Sequence, residues 1–337
     1  MSIYNKVQAG KSEKQKIKEL LSFTFFENFE NYAENYHEQN GYIEGHRFGK
    51  QFFRVDNHIF KPLIEELQSN KECGYLTYAN NVIKSSFVPK KISAMTKQLR
   101  FDEEVVDESV SEELILNEVL SSKIMNYYGC PTCYNTAIKC KAPYDNEDEF
   151  ELLSVDFIPY EHTFYTFDEH GIIISSNLEK VVEAIKTKIM ANYGKENSED
   201  AEKFIEDFVL SQLVREHILC DDDCFHTNSG ILINNENLNI QLINFDYEFA
   251  FNKYVQTDKL RKEWFKEHLR YTKQKFPKIY EKFCQKTLIL EKELERLITN
   301  NDIKYFNDYH KQILTEFLEL LKETNNIISN HDNLRAQ

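Results

Sequence analysis

Asp223 and Asn228 stand five positions apart in the run Leu219-Cys-Asp-Asp-Asp-Cys-Phe-His-Thr-Asn-Ser-Gly-Ile-Leu-Ile, and Asp246 follows eighteen residues later in Leu242-Ile-Asn-Phe-Asp-Tyr-Glu. Phosphoryl transfer needs these residue types. A carboxylate orients or deprotonates the acceptor hydroxyl, and two further oxygen ligands hold magnesium against the phosphates of a nucleotide. In that chemistry Asp223 is the expected base, and Asn228 and Asp246 are the expected metal ligands. Asp and Asn are also favoured in turns, where their side chains bond the backbone, so the spacing alone arises by chance. Its context gives it weight: a helix before, a β-hairpin after, and an aspartate closing the second strand within an apolar run. A hairpin between Asn228 and Asp246 returns the chain to one edge, where residues distant in sequence can share one ion.

The elements that must position these residues follow from periodicity. Ile17, Leu20, Leu21, Phe25, Phe29, Tyr32 and Tyr36 recur at helical spacing behind Ser12, a suitable N-cap, and predict a helix from Ser12 to Tyr36. A short helix is expected over Ile59–Leu67. Strands are expected over Gly74–Tyr78, Val82–Val88 and Ile92–Phe101. Leu116, Leu120, Ile124 and Tyr128 form an i, i+4 row in a helix over Ser109–Tyr128, with Gly129 where a C-cap glycine belongs. Thr132–Cys140 and Phe150–Phe157 read as two more strands around the polar turn Asp145–Glu149. After Pro159 the texture turns helical, over Leu178–Tyr193 and Ser198–Leu219, then from Thr257 to about Ile328 with breaks at Pro277 and Asn300–Asp302. One β-pair interrupts it, Gly230–Asn234 with Asn239–Phe245, joined by the turn Asn234–Asn237.

With these elements in place, the segment resembles the catalytic loop and metal-binding aspartate of the protein-kinase-like superfamily, and most closely the HipA-type atypical serine/threonine kinases. There the loop looks like Asn-x-Asp-x-His-x-x-Asn before a Gly-Ile/Phe-Leu strand, and a later Tyr/Phe-Asp replaces Asp-Phe-Gly. The matching positions are Asp223, Asn228, Gly230-Ile231-Leu232 and Phe245-Asp246; His226 is one residue out of step and takes no catalytic role. A kinase also needs a strand lysine to bridge the phosphates and a helix glutamate to hold it. In the family that glutamate precedes a Leu-Gly-hydrophobic-Pro pattern, which Asn117-Glu118 through Tyr128-Gly129-Cys130-Pro131 follows. The resemblance thus implies Glu118, with Lys97 as its partner and Lys84, Lys90, Lys91 and Arg100 as rivals. It also implies a hinge strand at Phe150–Phe157, where backbone groups of Ser154, Val155 and Asp156 would bond adenine. The match runs from roughly Tyr75 to Phe251, by motif order.

The resemblance implies an α+β, two-lobed protein-kinase-like fold with an ATP–Mg2+ cleft between a β-rich N-lobe over 73–158 and a mainly helical C-lobe over 159–337; the helical extension expected over 1–72 matches nothing in the family. The implied activity is transfer of the ATP γ-phosphate to a serine or threonine of a protein. One departure from the family pattern keeps a rival open. No glycine stands between Gly74 and Gly129, so a glycine-rich phosphate loop is missing, and Ser85-Ser86-Phe87-Val88-Pro89-Lys90 is its expected substitute. That gap favours a pseudokinase acting as a regulatory module. A small-molecule kinase of the aminoglycoside or choline kinase type also fits Asp223, Asn228 and Ile243-Asn-Phe-Asp-Tyr-Glu248, although Asp221 stands where those enzymes carry a histidine.

Composition bounds the rest. The chain has 337 residues and is 41% hydrophobic, enough for a substantial core. A formal charge of -15 opposes general binding to a phosphate backbone, so no direct nucleic-acid partner is expected. No apolar run is long enough to span a membrane, and the first twenty residues lack the apolar stretch of a signal peptide. With 7 cysteines, an odd number, reduced thiols in a cytoplasm are expected. Cys130-Pro-Thr-Cys133 with Cys140 lacks a second ligand pair for zinc and follows a helix instead of preceding one, so packing is its expected role. Asp221-Asp222-Asp223 lacks the spaced ligands and closing glutamate of a calcium loop. Leu288, Leu290, Leu294, Leu297, Ile313, Leu314, Phe317, Leu318 and Leu321 form stripes expected to be core.

Overall fold

The computed structural model of the chain describes residues 12–22, 45–47, 50–51, 60–62, 75–79, 82–90, 108–132, 134–141, 148–155, 158–159, 162–174, 177–191, 193–194, 198–221, 229–234, 236–244, 247, 250–252 and 259–333. Helix α1 (Glu13–Leu21) starts where Ser12 caps it, the hydroxyl accepting the Gln15 amide at 3.3 Å. It ends at Leu21, and residues 23–36 of the expected helix lie outside the described residues. At Ser22 the backbone turns extended and the serine hydroxyl donates to the Lys18 carbonyl at 2.7 Å. A serine that bonds the preceding turn competes with helix continuation. Strands β1 (Gly45–Arg47) and β2 (Lys50–Gln51) come next. The helix expected over Ile59–Leu67 is contradicted at its start, because Phe60–Pro62 forms strand β3 and pairs with β4 (Tyr75–Ala79), Phe60 opposite Thr77 and Pro62 opposite Tyr75. Lys61 precedes a proline, which drives it to extended backbone.

Beyond these lie β5 (Val82–Lys90), α2 (Glu108–Tyr128), β6 (Tyr134–Lys141), β7 (Asp148–Val155), β8 (Ile158–Pro159) and β9 (His162–Thr166). Helix α3 (Leu178–Ile185) runs on as a π-helical turn to Met190, and α4 (Glu199–Val214), capped by Ser198, does the same over Arg215–Leu219. The hairpin β10 (Ser229–Asn234) and β11 (Ile240–Asn244) precedes three long helices, α5 (Lys259–Lys275), α6 (Pro277–Thr299) and α7 (Asp308–Asn333). Pro277 opens α6 in the first turn, where a missing amide hydrogen costs nothing. Among the described residues no helix is long and apolar enough to cross a membrane.

The chain divides into two compact units, one of Met1–Gly10, Thr24–Lys123 and Cys133–Phe164, the other of Lys11–Phe23, Ile124–Thr132 and Tyr165–Gln337. The first is built on an antiparallel five-stranded sheet in the order β3-β4-β5-β7-β6. Its β5 corrects one expectation. Ser85 and Ser86 pair with Thr77 and Leu76, and Val88, Pro89 and Lys90 pair with Ser154, Leu153 and Leu152, so this stretch is a strand inside the sheet and not a phosphate loop. Its β-branched and aromatic residues favour that outcome. The strand expected over Ile92–Phe101 lies outside the described residues.

The second unit holds one continuous apolar core. Phe167 packs on Phe208 with ring centroids 5.7 Å apart, and Phe265 meets Phe283 edge-on at 6.2 Å. Each such ring removed from water stabilises the fold by roughly 1.5–3 kcal/mol. Ile17, Leu20 and Leu21 of α1 join this core, and α1 packs on α6. The stripes of α6 and α7 are buried as expected except at Leu288, which is 42% exposed. It lies two residues from Leu290, about 200° around the helix from the buried face.

The end of α2 fixes this unit's entry. Gly129 takes φ +84°, and the amides of Gly129 and Cys130 bond the carbonyls of Asn126 and Met125, each at 2.9 Å, closing the helix as the sequence predicts. Lys286 of α6 donates to the Tyr127 carbonyl and lies over its ring at 4.3 Å, which places a cation at the negative helix end. Gly129→Ala therefore forces a side chain into the left-handed region, 2.9 Å from Lys282 Nζ. Urea denaturation is expected to show a loss of about 1–2 kcal/mol; an unchanged midpoint would contradict this account of the cap.

Candidate functional site

Of the residues singled out from sequence, Asp223, Asn228, Asp246, Lys97 and Asp156 lie outside the described residues. What the structure describes is the frame on either side of three of them. The last turn of α4 is a π-turn, and it ends at Cys220 with φ 48°. There the chain passes to Asp221, two residues before Asp223. It is described again from Ser229, the residue after Asn228, and the hairpin then leads to Asn244 and, on the far side of Asp246, to Tyr247.

Arg215 joins these anchors. It is fully buried, as is the Asp221 side chain, and its Nε and Nη2 both donate to Asp221 Oδ2, the first at 2.9 Å. Its Nη1 donates to Ser229 Oγ at 3.3 Å. Ser229 Oγ in turn donates a hydrogen bond to Asn244 Oδ1 at 2.8 Å, across the ladder pair that ends the hairpin on this side. The Asn244 amide nitrogen donates to the Pro131 carbonyl at 2.7 Å and to Ser211 Oγ at 3.1 Å. The guanidinium also lies over the Tyr247 ring, 4.8 Å from its centroid, a cation–π contact strengthened by burial. The Tyr247 hydroxyl is hydrogen-bonded to Thr132 Oγ1 at 2.6 Å.

Burying a guanidinium and a carboxylate costs several kcal/mol per ion, which their attraction offsets only when the remaining donors and acceptors are satisfied. Ser229, Asn244, Ser211 and the Pro131 carbonyl continue the hydrogen-bond chain that meets this condition. One cation thus holds Asp221, Ser229 and Tyr247, which border Asp223, Asn228 and Asp246 in sequence. Phe251 and Asn252 complete the frame: their amides donate to the Leu219 and Cys220 carbonyls at 2.6 and 3.3 Å, so the segment after Asp246 caps the helix before Asp223.

Sequence reasoning missed Arg215, Ser229, Asn244 and Tyr247 as anchors. It noted Asp221 only as a departure from the histidine of small-molecule kinases, whereas the side chain is paired with Arg215. The available signal was an arginine in the apolar run Leu210-Ser-Gln-Leu-Val-Arg, where an unpaired charge is unexpected.

The other sequence-predicted residues lie on α2 and β7. Glu118 is 1% exposed, beside buried Asn117, Ser121 and Ser122 on the same helix. A carboxylate that deep stays ionised only beside a cation or hydrogen-bond donors, the environment a lysine partner provides. Ser154 pairs with Val88 on one side and Asn135 on the other, while Val155 pairs with Tyr134. Burial pushes the Cys130 thiol up to about 12 and the Cys220 thiol up to about 11, so both are neutral thiols near pH 7 and neither is a ready metal ligand or nucleophile.

Two mutations test the frame. Arg215→Met strands the Asp221 carboxylate and is expected to cost about 3–5 kcal/mol, much of it recovered in the double variant with Asp221→Leu. Tyr247→Phe removes the hydroxyl bonded to Thr132 and is expected to cost about 1 kcal/mol. Chemical denaturation of all four proteins gives the values; a single Arg215→Met variant as stable as wild type would contradict the buried pair.

No family model matches the sequence. No curated protein matches it either. Among solved structures the chain is similar to the crystal structure of a Helicobacter pylori proinflammatory kinase, CtkA. The TM-score is 0.50 and the identity 12%, over 88% of this chain and 99% of that one. At this identity the likeness concerns the fold, and this chain has a kinase-like fold.

Proposed function

We propose that this protein is a Mg2+–ATP-dependent phosphotransferase of the HipA-like kind, transferring the γ-phosphate to a serine or threonine hydroxyl of a protein. The observation that carries the reading is the buried Arg215, which joins the residues bordering Asp223, Asn228 and Asp246 in a chain with a kinase-like fold. Phosphoryl transfer asks little covalent chemistry of a protein and depends on positioning and charge, so the frame that fixes such residues matters as much as the residues.

In this reading Asp223 accepts a hydrogen bond from the acceptor hydroxyl and takes its proton as the oxygen attacks phosphorus. Asn228 and Asp246 supply the oxygen donors that a small hard cation prefers, and they would hold magnesium. Bound there, magnesium supplies charge neutralisation on the phosphate oxygens. Lys97 would pair with the phosphates and be held by Glu118, whose burial suits an ion pair. Ser154 is paired on both sides within the sheet, so the backbone groups after it, of Val155 and Asp156, would bond the adenine edge.

A second reading has one observation in its favour. The chain lacks glycine between Gly74 and Gly129, and the serine run of β5 is engaged in the sheet, so neither a glycine loop nor this run offers backbone amides to phosphate. In that case the protein binds nucleotide without transferring phosphate.

Incubation with Mg2+ and γ-labelled ATP, followed by intact mass and phosphosite mapping, separates the readings. Wild type is expected to place phosphate on serine or threonine of itself or an added protein. Asp223→Ala should slow transfer by about 10²–10⁴-fold, and Asp246→Ala should abolish Mg2+-dependent ATP binding. Magnesium-dependent binding without transfer would support the second reading. No ATP binding at all would overturn both.

A further inference from the structure

The π-turn that carries Arg215 also carries Glu216 and His217, and these reach a different place. Glu216 Oε2 lies 3.6 Å from His217 Nε2 and 3.4 Å from His268 Nδ1, and the two imidazole nitrogens are 2.9 Å apart. All three ligand atoms fall in one small cluster, with His268 contributed by α5.

We propose that Glu216, His217 and His268 form a binding site for a first-row divalent cation of the zinc type, distinct from any magnesium held by Asn228 and Asp246. Zinc binds imidazole nitrogen and carboxylate oxygen at about 2.0–2.2 Å, and tetrahedral geometry then sets ligand atoms roughly 3.3 Å apart. The three observed separations bracket that value, so a single ion reaches all three atoms with small side-chain adjustments. Two histidines and a carboxylate leave one position for water. The way in is on the carboxylate side, since the Glu216 side chain is 14% exposed while those of His217 and His268 are 0% and 3% exposed.

The surroundings hold the ligands in place. Arg261 Nη2 donates to the His217 carbonyl at 3.0 Å, and its Nε donates to the Glu216 carbonyl at 3.4 Å, fixing the backbone of both. Phe265 packs against the His217 ring at 4.5 Å. His217 Nδ1 has no hydrogen-bond partner, so the polar contacts of that ring run through Nε2 into the cluster. An ion here would tie α5 to the π-turn. The same turn presents Arg215 to Asp221 and Ser229, so occupancy would stiffen the frame of the candidate active site from behind. Single π-turns frequently mark such functional positions.

The test uses the purified full chain, stripped with chelator and titrated with Zn2+ alone. Elemental analysis after dialysis is expected to find one zinc per chain, with a raised melting temperature. His268→Gln and Glu216→Gln should each weaken zinc binding about tenfold or more. Because either variant could fold poorly, X-ray absorption at the zinc edge of the wild type supplies an independent readout, expected to show nitrogen and oxygen neighbours with two imidazoles. Absence of stoichiometric zinc from the wild type, sulfur in the first coordination shell, or unchanged affinity in both folded variants would overturn the proposal and leave a hydrogen-bonded histidine pair.

Discussion

Everything that frames the candidate site depends on one ion pair taken out of water. Arg215 and Asp221 are both buried, and neither would be tolerated alone at that depth. Their pairing makes the end of α4 a fixed point. Ser229 and Asn244 then extend the hydrogen-bond chain to the mouth of the hairpin, and Tyr247 closes over the guanidinium face. A lysine in place of Arg215 could not serve so many directions, because a point charge lacks the planar fork that donates along one edge while its face stacks on a ring.

The two aspartates near the loop divide labour by environment. Asp221 has spent its charge on Arg215, so it contributes architecture. Asp223, two residues on, is the one proposed for chemistry. Adjacent acidic residues in a sequence look equivalent, and only burial and partnering distinguish them. The π-turn before them also has a part in this separation. It alters which way successive side chains point, sending Arg215 toward the hairpin while Glu216 and His217 meet α5.

Local signals were legible in the sequence where a single residue type enforces one backbone state. Ser12 capped its helix, Gly129 closed α2, Asn234 turned the hairpin and Pro277 opened a new helix, each for a reason visible in the residue itself. Failures came where tertiary pairing prevailed. Phe60–Pro62 was absorbed as a strand against β4, and the phosphate-loop role expected of Ser85–Lys90 gave way to the strand that Val82–Val88 had also predicted. The Arg215 hub was illegible because its partners are six, fourteen and thirty-two residues away and no spacing rule connects them. The chemistry of Asp223, Asn228 and Asp246 was readable as residue types, while the frame that borders them was not.

Hydrogen exchange measured by mass spectrometry, on peptides covering 219–230 and 242–252 with and without Mg2+–ATP, tests the central claim most directly. The account predicts that nucleotide protects both segments together in the wild type, and that Arg215→Lys loosens both and removes the joint protection. Protection of one segment without the other, or an Arg215→Lys variant that exchanges like the wild type, would contradict a single buried guanidinium holding the site.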